Sequence, residues 1–125
     1  MGFDQFMKKN QKLERKEVEY AATKTLTDEN GQPLKWKFRK LSSRDFFILQ
    51  DSEKKSDMAR VMAVKCCVYP NLRNQELQDS YGVKTPDELL QRMIPDADEM
   101  SALLVFVGNL NDFKTLSDEV EEAKN

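Results

Sequence analysis

From Leu34 to Arg39 the chain alternates strictly. Strand side chains repeat every second residue, so Leu34, Trp36 and Phe38 fall on one face of an extended segment and Lys35, Lys37 and Arg39 on the other. A second extended candidate, Lys16 to Leu26, sets Val18, Tyr20 and Ala22 against Glu17 and Glu19 in the same way. Between the two lies Asp28-Glu29-Asn30-Gly31-Gln32-Pro33, a cluster of turn-forming residues. Parity constrains that turn. Facing both apolar sets the same way requires an odd number of loop residues, which a two-residue Asn30-Gly31 turn does not supply. A three-residue loop with Gly31 in the left-handed conformation does.

After Leu41 the period changes from two to that of helices. Ser42 or Ser43 as N-cap and Asp45 in the first turn predict a helix over Ser43 to Lys54. Ser56 or Asp57 opens the next, where Met58, Val61, Met62, Val64, Lys65 and Val68 run at mixed helical spacing until Pro70 stops them. Asn74 caps a short helix with Leu77 and Tyr81 at i,i+4 and Gly82 as a left-handed C-cap. Thr85-Pro86-Asp87-Glu88 is the best-marked start in the chain: an N-cap threonine, proline at the first helical position, and a glutamate placed to complete a capping box. Leu89, Leu90, Met93 and Ile94 follow, and Pro95 ends that helix.

From Asp98 to Asn111 one more helix carries Met100, Leu103, Leu104, Val107 and Leu110 as a single stripe. Val105 and Phe106 stand outside it. At about 100° per residue Val105 lies about 140° from Met100, so this helix is apolar on more faces than one neighbour covers. Surplus apolar surface marks either a protein contact or tighter burial within the domain or a homo-oligomer. The sequence therefore predicts a predominantly α, α+β domain over residues 1–113, an N-terminal β-hairpin packed on about five short helices. Residues 114–125 follow as an acidic, mobile tail anchored only by Leu116 and Val120.

Composition narrows the function classes. At 125 residues the chain fits one modest core. Lys+Arg 20 against Asp+Glu 22 gives a net charge of -2, which supplies no whole-molecule field for phosphate or anionic lipid. No apolar run approaches the roughly 18 residues that span a bilayer, and Met1 to Asn10 lacks the pattern of a secretory signal, which together predict a cytoplasmic protein. Adjacent Cys66 and Cys67 in an apolar segment do not form a disulfide framework. They read as two small apolar residues of a core helix, because adjacent helical positions diverge by about 100° and do not grip one ion.

Candidate chemistry is sparse. The sequence holds no histidine, the commonest general base near neutral pH. Gly2, Gly31, Gly82 and Gly108 are scattered singly, with no phosphate loop among them. Asp96, Asp98 and Glu99 lack the spaced oxygens of a Ca²⁺ loop and read as helix-start charges. No catalytic residue, cofactor site or metal site is expected. The stretch Lys35-Trp36-Lys37-Phe38-Arg39-Lys40 interleaves aromatic and basic residues in the manner of a single-strand binder. Against that reading, its aromatics share the apolar face and its basic face meets Glu17 and Glu19 across the hairpin. A nucleic-acid-binding regulator using this basic face is nonetheless the alternative to a protein-binding chain.

One stretch is specific in its wording: Tyr69-Pro70-Asn71-Leu72, then Glu76-Leu77-Gln78-Asp79-Ser80-Tyr81-Gly82-Val83, then Glu88-Leu89-Leu90 before Met93. With Phe6-Met7-Lys8-Lys9-Asn10, Lys16-Glu17-Val18-Glu19 and Gly31-Gln32-Pro33-Leu34-Lys35-Trp36, it resembles the XkdN-like tail assembly chaperones of long-tailed phages and PBSX-type defective prophages of Bacillus. The resemblance covers about Phe6 to Phe113 and departs from the family pattern at Asn109-Leu110-Asn111-Asp112-Phe113 and in the loop Ile94 to Met100. It implies a non-catalytic protein of the host cytoplasm, absent from the finished virion, that binds the tape measure protein and keeps it soluble while the tail tube assembles.

The resemblance also implies a programmed frameshift that yields a longer form able to reach the tail tube protein. The ending Ala123-Lys124-Asn125 permits a slippery A AAA AAC if its codons are GCA AAA AAC. The partners expected are thus the tape measure protein, the tail tube protein through that longer form, and a second copy in a homo-oligomer, with neither nucleic acid nor membrane. Met93, Met100, Leu104, Val105 and Phe106 are the candidate partner-binding residues, a compliant apolar surface suited to many similar helical seams.

Overall fold

A computed structural model describes residues 2–12, 16–51 and 55–111. The acidic tail expected over residues 114–125, the ending at Asn125 and Lys54 lie outside the described residues. In chain order the elements are α1 (Gly2–Gln5), a 3₁₀ turn (Lys8–Asn10), β1 (Val18–Tyr20), β2 (Trp36–Phe38), α2 (Ser43–Gln50), α3 (Lys55–Cys66), β3 (Cys67–Tyr69), α4 (Gln75–Ser80), α5 (Pro86–Met93) and α6 (Ala97–Leu110). The predominantly helical α+β domain with an N-terminal hairpin is as the sequence predicts, with five helices after the hairpin and a short α1 before it among the described residues.

The hairpin closes through the turn that parity requires. The Asp28 amide donates to the Gln32 carbonyl at 2.8 Å and the Gly31 amide to the Asp28 carbonyl at 3.1 Å, leaving Glu29, Asn30 and Gly31 as the loop. Gly31 has φ +80°, a conformation that costs other residues steric strain. The Asp28 carboxylate tightens the loop by accepting from the amides of Asn30 and Gln32. The strands pair antiparallel with Val18 opposite Phe38 and Tyr20 opposite Trp36, so both apolar sets do share a face.

The first arm is not the continuous strand from Lys16 to Leu26 that alternation suggests. Thr27 bridges Pro33 at the tip, while Tyr20 pairs with Trp36 further down. Six residues separate the pairs on one arm and two on the other, so Ala21 to Thr25 leave the ladder as an excursion, and Leu26 rejoins it by accepting from the Leu34 amide at 2.8 Å. The reason lies in α6: the Glu99 carboxylate accepts from the Thr23 hydroxyl at 2.7 Å and from the Lys24 amide at 2.8 Å. The excursion exchanges ladder bonds for charge-assisted bonds to another element and buries Ala22 and Thr23.

The largest departure is at the end of α3. The helix stops at Cys66, and Cys67, Val68 and Tyr69 form β3, which pairs antiparallel with β2 to give a three-stranded sheet of order β1-β2-β3. A proline disfavours helical backbone in the residue before it, which removes Tyr69 from the helix. Cysteine, valine and tyrosine are poor helix formers, and pairing with β2 satisfies their backbone instead. Cys67 is accordingly a strand residue and not part of a core helix, while Cys66 is the buried last residue of α3. Ser56 and Asp57, expected as caps, lie inside α3.

The predicted N-caps elsewhere are formed, although Glu88 does not return a bond to the Thr85 amide to complete the capping box. Ser42, Asn74 and Thr85 accept from the amides of Asp45, Leu77 and Glu88. Gly82, at φ +69°, ends α4 in a Schellman motif: Val83 donates to the Gln78 carbonyl and Gly82 to the Asp79 carbonyl, both at 3.1 Å.

The core sits between the sheet and the helices and contains Trp36, Phe38, Met62, Leu89, Leu90, Ile94, Leu103 and Val107. α3 is its centre, packing on α2, α5 and α6. Its buried face is Ala59, Met62, Ala63 and Cys66, spaced i, i+3, i+4 and i+7. Three of these are small, so the apolar stripe read from the larger side chains is centred to one side of the true one. The described part of α6 ends at Asn111, whose side chain accepts from the Leu41 amide at 2.8 Å and donates to the Val107 carbonyl at 2.9 Å. The first of these bonds ties the end of α6 to the connection between β2 and α2.

Candidate functional site

A catalytic centre needs converging reactive groups, and the cysteines do not provide one. Burial pushes the Cys66 thiol up to about 11 and the Cys67 thiol up to about 12, with the neighbouring Cys66 also raising the latter. Both remain protonated near neutral pH, whereas a nucleophilic or metal-binding cysteine is a thiolate. Among the described residues no three cysteine or carboxylate side chains cluster to hold a metal ion. Asp96 and Asp98 serve the start of α6, where Asp96 is the N-cap, and Glu99 holds the hairpin excursion.

The basic face of the hairpin is built differently from a stacking platform. Trp36 and Phe38 are buried, so neither offers a ring face to a base. Glu19 pairs across the ladder with Lys37 and reaches Lys35 at 3.9 Å. Opposite charges thus meet on the outer face of the sheet.

The five residues expected to contact a partner are divided by the fold. Met93 lies in the core. Met100, Leu104 and Phe106 are half-buried and pack against it, and Val105 is half-buried. Phe106 is held most fully: its ring stacks on Tyr20 at 4.2 Å with planes 12° apart and meets Phe38 edge-on at 5.7 Å. The second apolar face of α6 therefore has a neighbour within the domain, the hairpin. Tyr20 is partly desolvated by this packing, and burial, aided by the Glu99 carboxylate, raises its phenol pKa.

Other apolar side chains are turned outward. Phe47 is 61% and Ile48 49% exposed on α2, and Tyr69 is 61% exposed on β3. Phe3 and Phe6 project from the N-terminal arm, where α1 buries none of its residues. The α2 signal is visible in the sequence: in the run Phe46-Phe47-Ile48-Leu49 only Leu49 is buried, because four consecutive residues at 3.6 per turn cannot all face one core. Beside Ile48 lies a groove of about 550 Å³ between α2 and the α3–β3 junction, reaching Arg73 and Pro86.

A site made of outward apolar side chains, with protonated thiols and carboxylates committed to caps and turns, is suited to holding a polypeptide. Comparison with known proteins agrees: residues 3–124 match the model of the phage XkdN-like tail assembly chaperone proteins. The chain belongs to that family. Membership makes it a phage tail assembly chaperone, a role exercised on phage tail proteins. Among solved structures, that of the protein yqbn superposes with a TM-score of 0.73 at 24% sequence identity, covering 86% of this chain and 93% of that one. At that identity the likeness shows a shared fold. Comparison with curated proteins gives no match. No helix among the described residues of this tail assembly chaperone is long and apolar enough to cross a membrane.

Proposed function

We propose that this tail assembly chaperone binds the tape measure protein in the host cytoplasm and keeps it soluble while the tail tube assembles, without entering the virion. Family membership carries the reading, and the outward apolar surface supports it. A tape measure is a long chain with apolar seams, and a half-exposed helical edge covers such seams through non-directional contacts. The outward side chains are Phe47 and Ile48 on α2 and Tyr69 on β3; on α6 the half-buried Met100 and Leu104 share one side and the half-buried Val105 lies on another, with Phe106 and Met93 held inside the domain.

Co-expression with the tape measure protein encoded in the same phage tests the reading. The expected result is soluble tape measure protein that co-purifies with the wild-type chain at both low and high salt, since apolar contacts do not depend on counterion release. Val105→Asp, at a half-buried position where circular dichroism checks that the chain still folds, should fail to retain it. Insoluble tape measure protein beside soluble wild-type chain sinks the proposal. The same gene pair shows whether the reading frame slips to a longer form: a Lys124 codon of AAG removes the A AAA AAC heptamer.

A further inference from the structure

The groove beside Ile48 exposes a mainly polar lining, and its charge is lopsided. Arg39, Arg44, Lys65 and Arg73 line it with a single carboxylate, Asp45, an excess of three positive charges on a chain whose net charge is -2. Asp45 is committed to Lys65, which it faces at 3.8 Å. Among the described residues none of the three arginines has an ion-pair partner, whereas Lys35 on the hairpin meets Glu19.

The backbone of each arginine is fixed by a bond of its own neighbourhood. The Arg39 amide donates to the Cys66 carbonyl at 2.9 Å, which holds it at the α3–β3 junction. Arg44 stands in the first turn of α2, whose N-cap Ser42 accepts from the Asp45 amide at 3.1 Å. The Arg73 amide donates to the Asn71 side chain, also at 3.1 Å, in a turn that sets Arg73 on the opposite wall. Three guanidinium groups carried by separate elements thus share one groove, and the positive end of α2 adds to their field. Arginine forks bind carboxylates through paired hydrogen bonds. Among the described residues no aromatic ring lines the groove, so a nucleic acid base finds nothing to stack on. Ile48, the exposed apolar residue of the lining, offers one contact to a side chain lying between carboxylates. We propose that this groove binds an acidic stretch of a partner polypeptide, with aspartate or glutamate carboxylates on Arg39, Arg44 and Arg73. Such binding is polar and salt-dependent, distinct in kind from the apolar contacts that hold the tape measure protein in the function proposed above.

Fluorescence anisotropy of the full-length chain with a short fluorescein-labelled peptide rich in glutamate tests it, with glutamine replacing every glutamate as the control peptide. The expected result is binding of the glutamate peptide alone, weakening steeply as salt rises. Arg44→Glu with Arg73→Glu should weaken it about tenfold or more, since two attractive contacts become repulsive. Lys9→Glu with Lys12→Glu makes the same change in net charge at exposed positions that do not line the groove, and should alter binding by less than about twofold. Arg44 and Arg73 are exposed, and circular dichroism checks that each variant folds. Backbone amide shifts of the wild-type chain locate the peptide independently: those of Arg39, Arg44 and Arg73 should move and that of Asn30 at the hairpin tip should not. Absence of binding, equal binding of the glutamine peptide, equal losses in the two double variants, or shifts that miss the groove overturn the proposal. A single-stranded oligonucleotide that binds more tightly at the same amides also overturns it and assigns the groove to nucleic acid. Self-association of the wild-type chain that the arginine reversals abolish overturns it in favour of a second copy. The peptide is read without the tape measure protein, so failure here and failure of the proposed function are told apart.

Discussion

Replacing Phe106 by alanine decides whether that ring serves the fold or a partner. The ring stacks on Tyr20, meets Phe38 edge-on and is half-buried. Fully buried Phe→Ala changes cost about 3–5 kcal/mol, and a half-buried ring about 2–3 kcal/mol. With a urea dependence of about 1.5 kcal/mol per molar for a chain of this size, the unfolding midpoint should fall by about 1.3–2 M. The aromatic share is separable through Phe106→Leu, Tyr20→Leu and the double variant: a stacked pair contributes about 1 kcal/mol beyond area burial, which appears as non-additivity. Urea titration followed by Trp36 fluorescence reads all five proteins, since Trp36 is the chain's single tryptophan and lies in the core. A Phe106→Ala midpoint equal to that of wild type, or coupling below about 0.3 kcal/mol, refutes the claim that the hairpin covers this face of α6. Unchanged stability together with lost tape measure binding would reassign the ring to the partner.

Three further outcomes follow from the same structure. The Cys66 and Cys67 thiols are raised from their ordinary 9.0 to about 11 and about 12 in the folded chain, so their contribution is fully present below pH about 9 and is lost as pH rises through those values; urea midpoints should decline above pH about 9, and Cys66→Ser should lessen the decline without removing the share of Cys67. Glu99 is held below its ordinary 4.5 by its bonds from Thr23 and Lys24, so its contribution is present above that value and is lost as pH falls through the lower folded one; hydrogen exchange at the Lys24 amide, read by NMR, should quicken on acidification before the core opens, and in Glu99→Ala at every pH. Gly82→Ala forces a side chain into a left-handed conformation and should cost about 1–2 kcal/mol, against about 1 kcal/mol for Thr85→Ala at its helix cap; thermal unfolding ranks the two.

Local chemistry alone settled much of this protein. The three-residue turn follows from the parity of Val18 and Tyr20 against Trp36 and Phe38 together with one glycine able to adopt φ +80°. The starts of α2, α4 and α5 follow from Ser42, Asn74 and Thr85, because a cap bonds backbone within three residues of itself. The family was legible for the same kind of reason, in an unbroken string from Glu76 to Val83 that builds α4 and its Schellman end. Of the candidate site, the surplus of apolar residues on α6 could be read from period alone.

Tertiary structure decided what long-range partners supply. Whether Cys67 to Tyr69 continue a helix or join a sheet depends on β2 lying alongside to receive their backbone. The break in the first arm of the hairpin depends on Glu99, seventy-five residues away in sequence from Lys24. Three of the four residues in the central stripe of α3 are alanine or cysteine, side chains whose burial reflects how closely α5 and α6 approach rather than their own hydrophobicity. Periodicity likewise shows that α6 has two apolar faces but not what covers the second, since a helix's sequence fixes which side chains share a face and only the packed chain fixes its neighbour. Here the hairpin covers Phe106, and the outward apolar surface passes to Phe47, Ile48 and Tyr69.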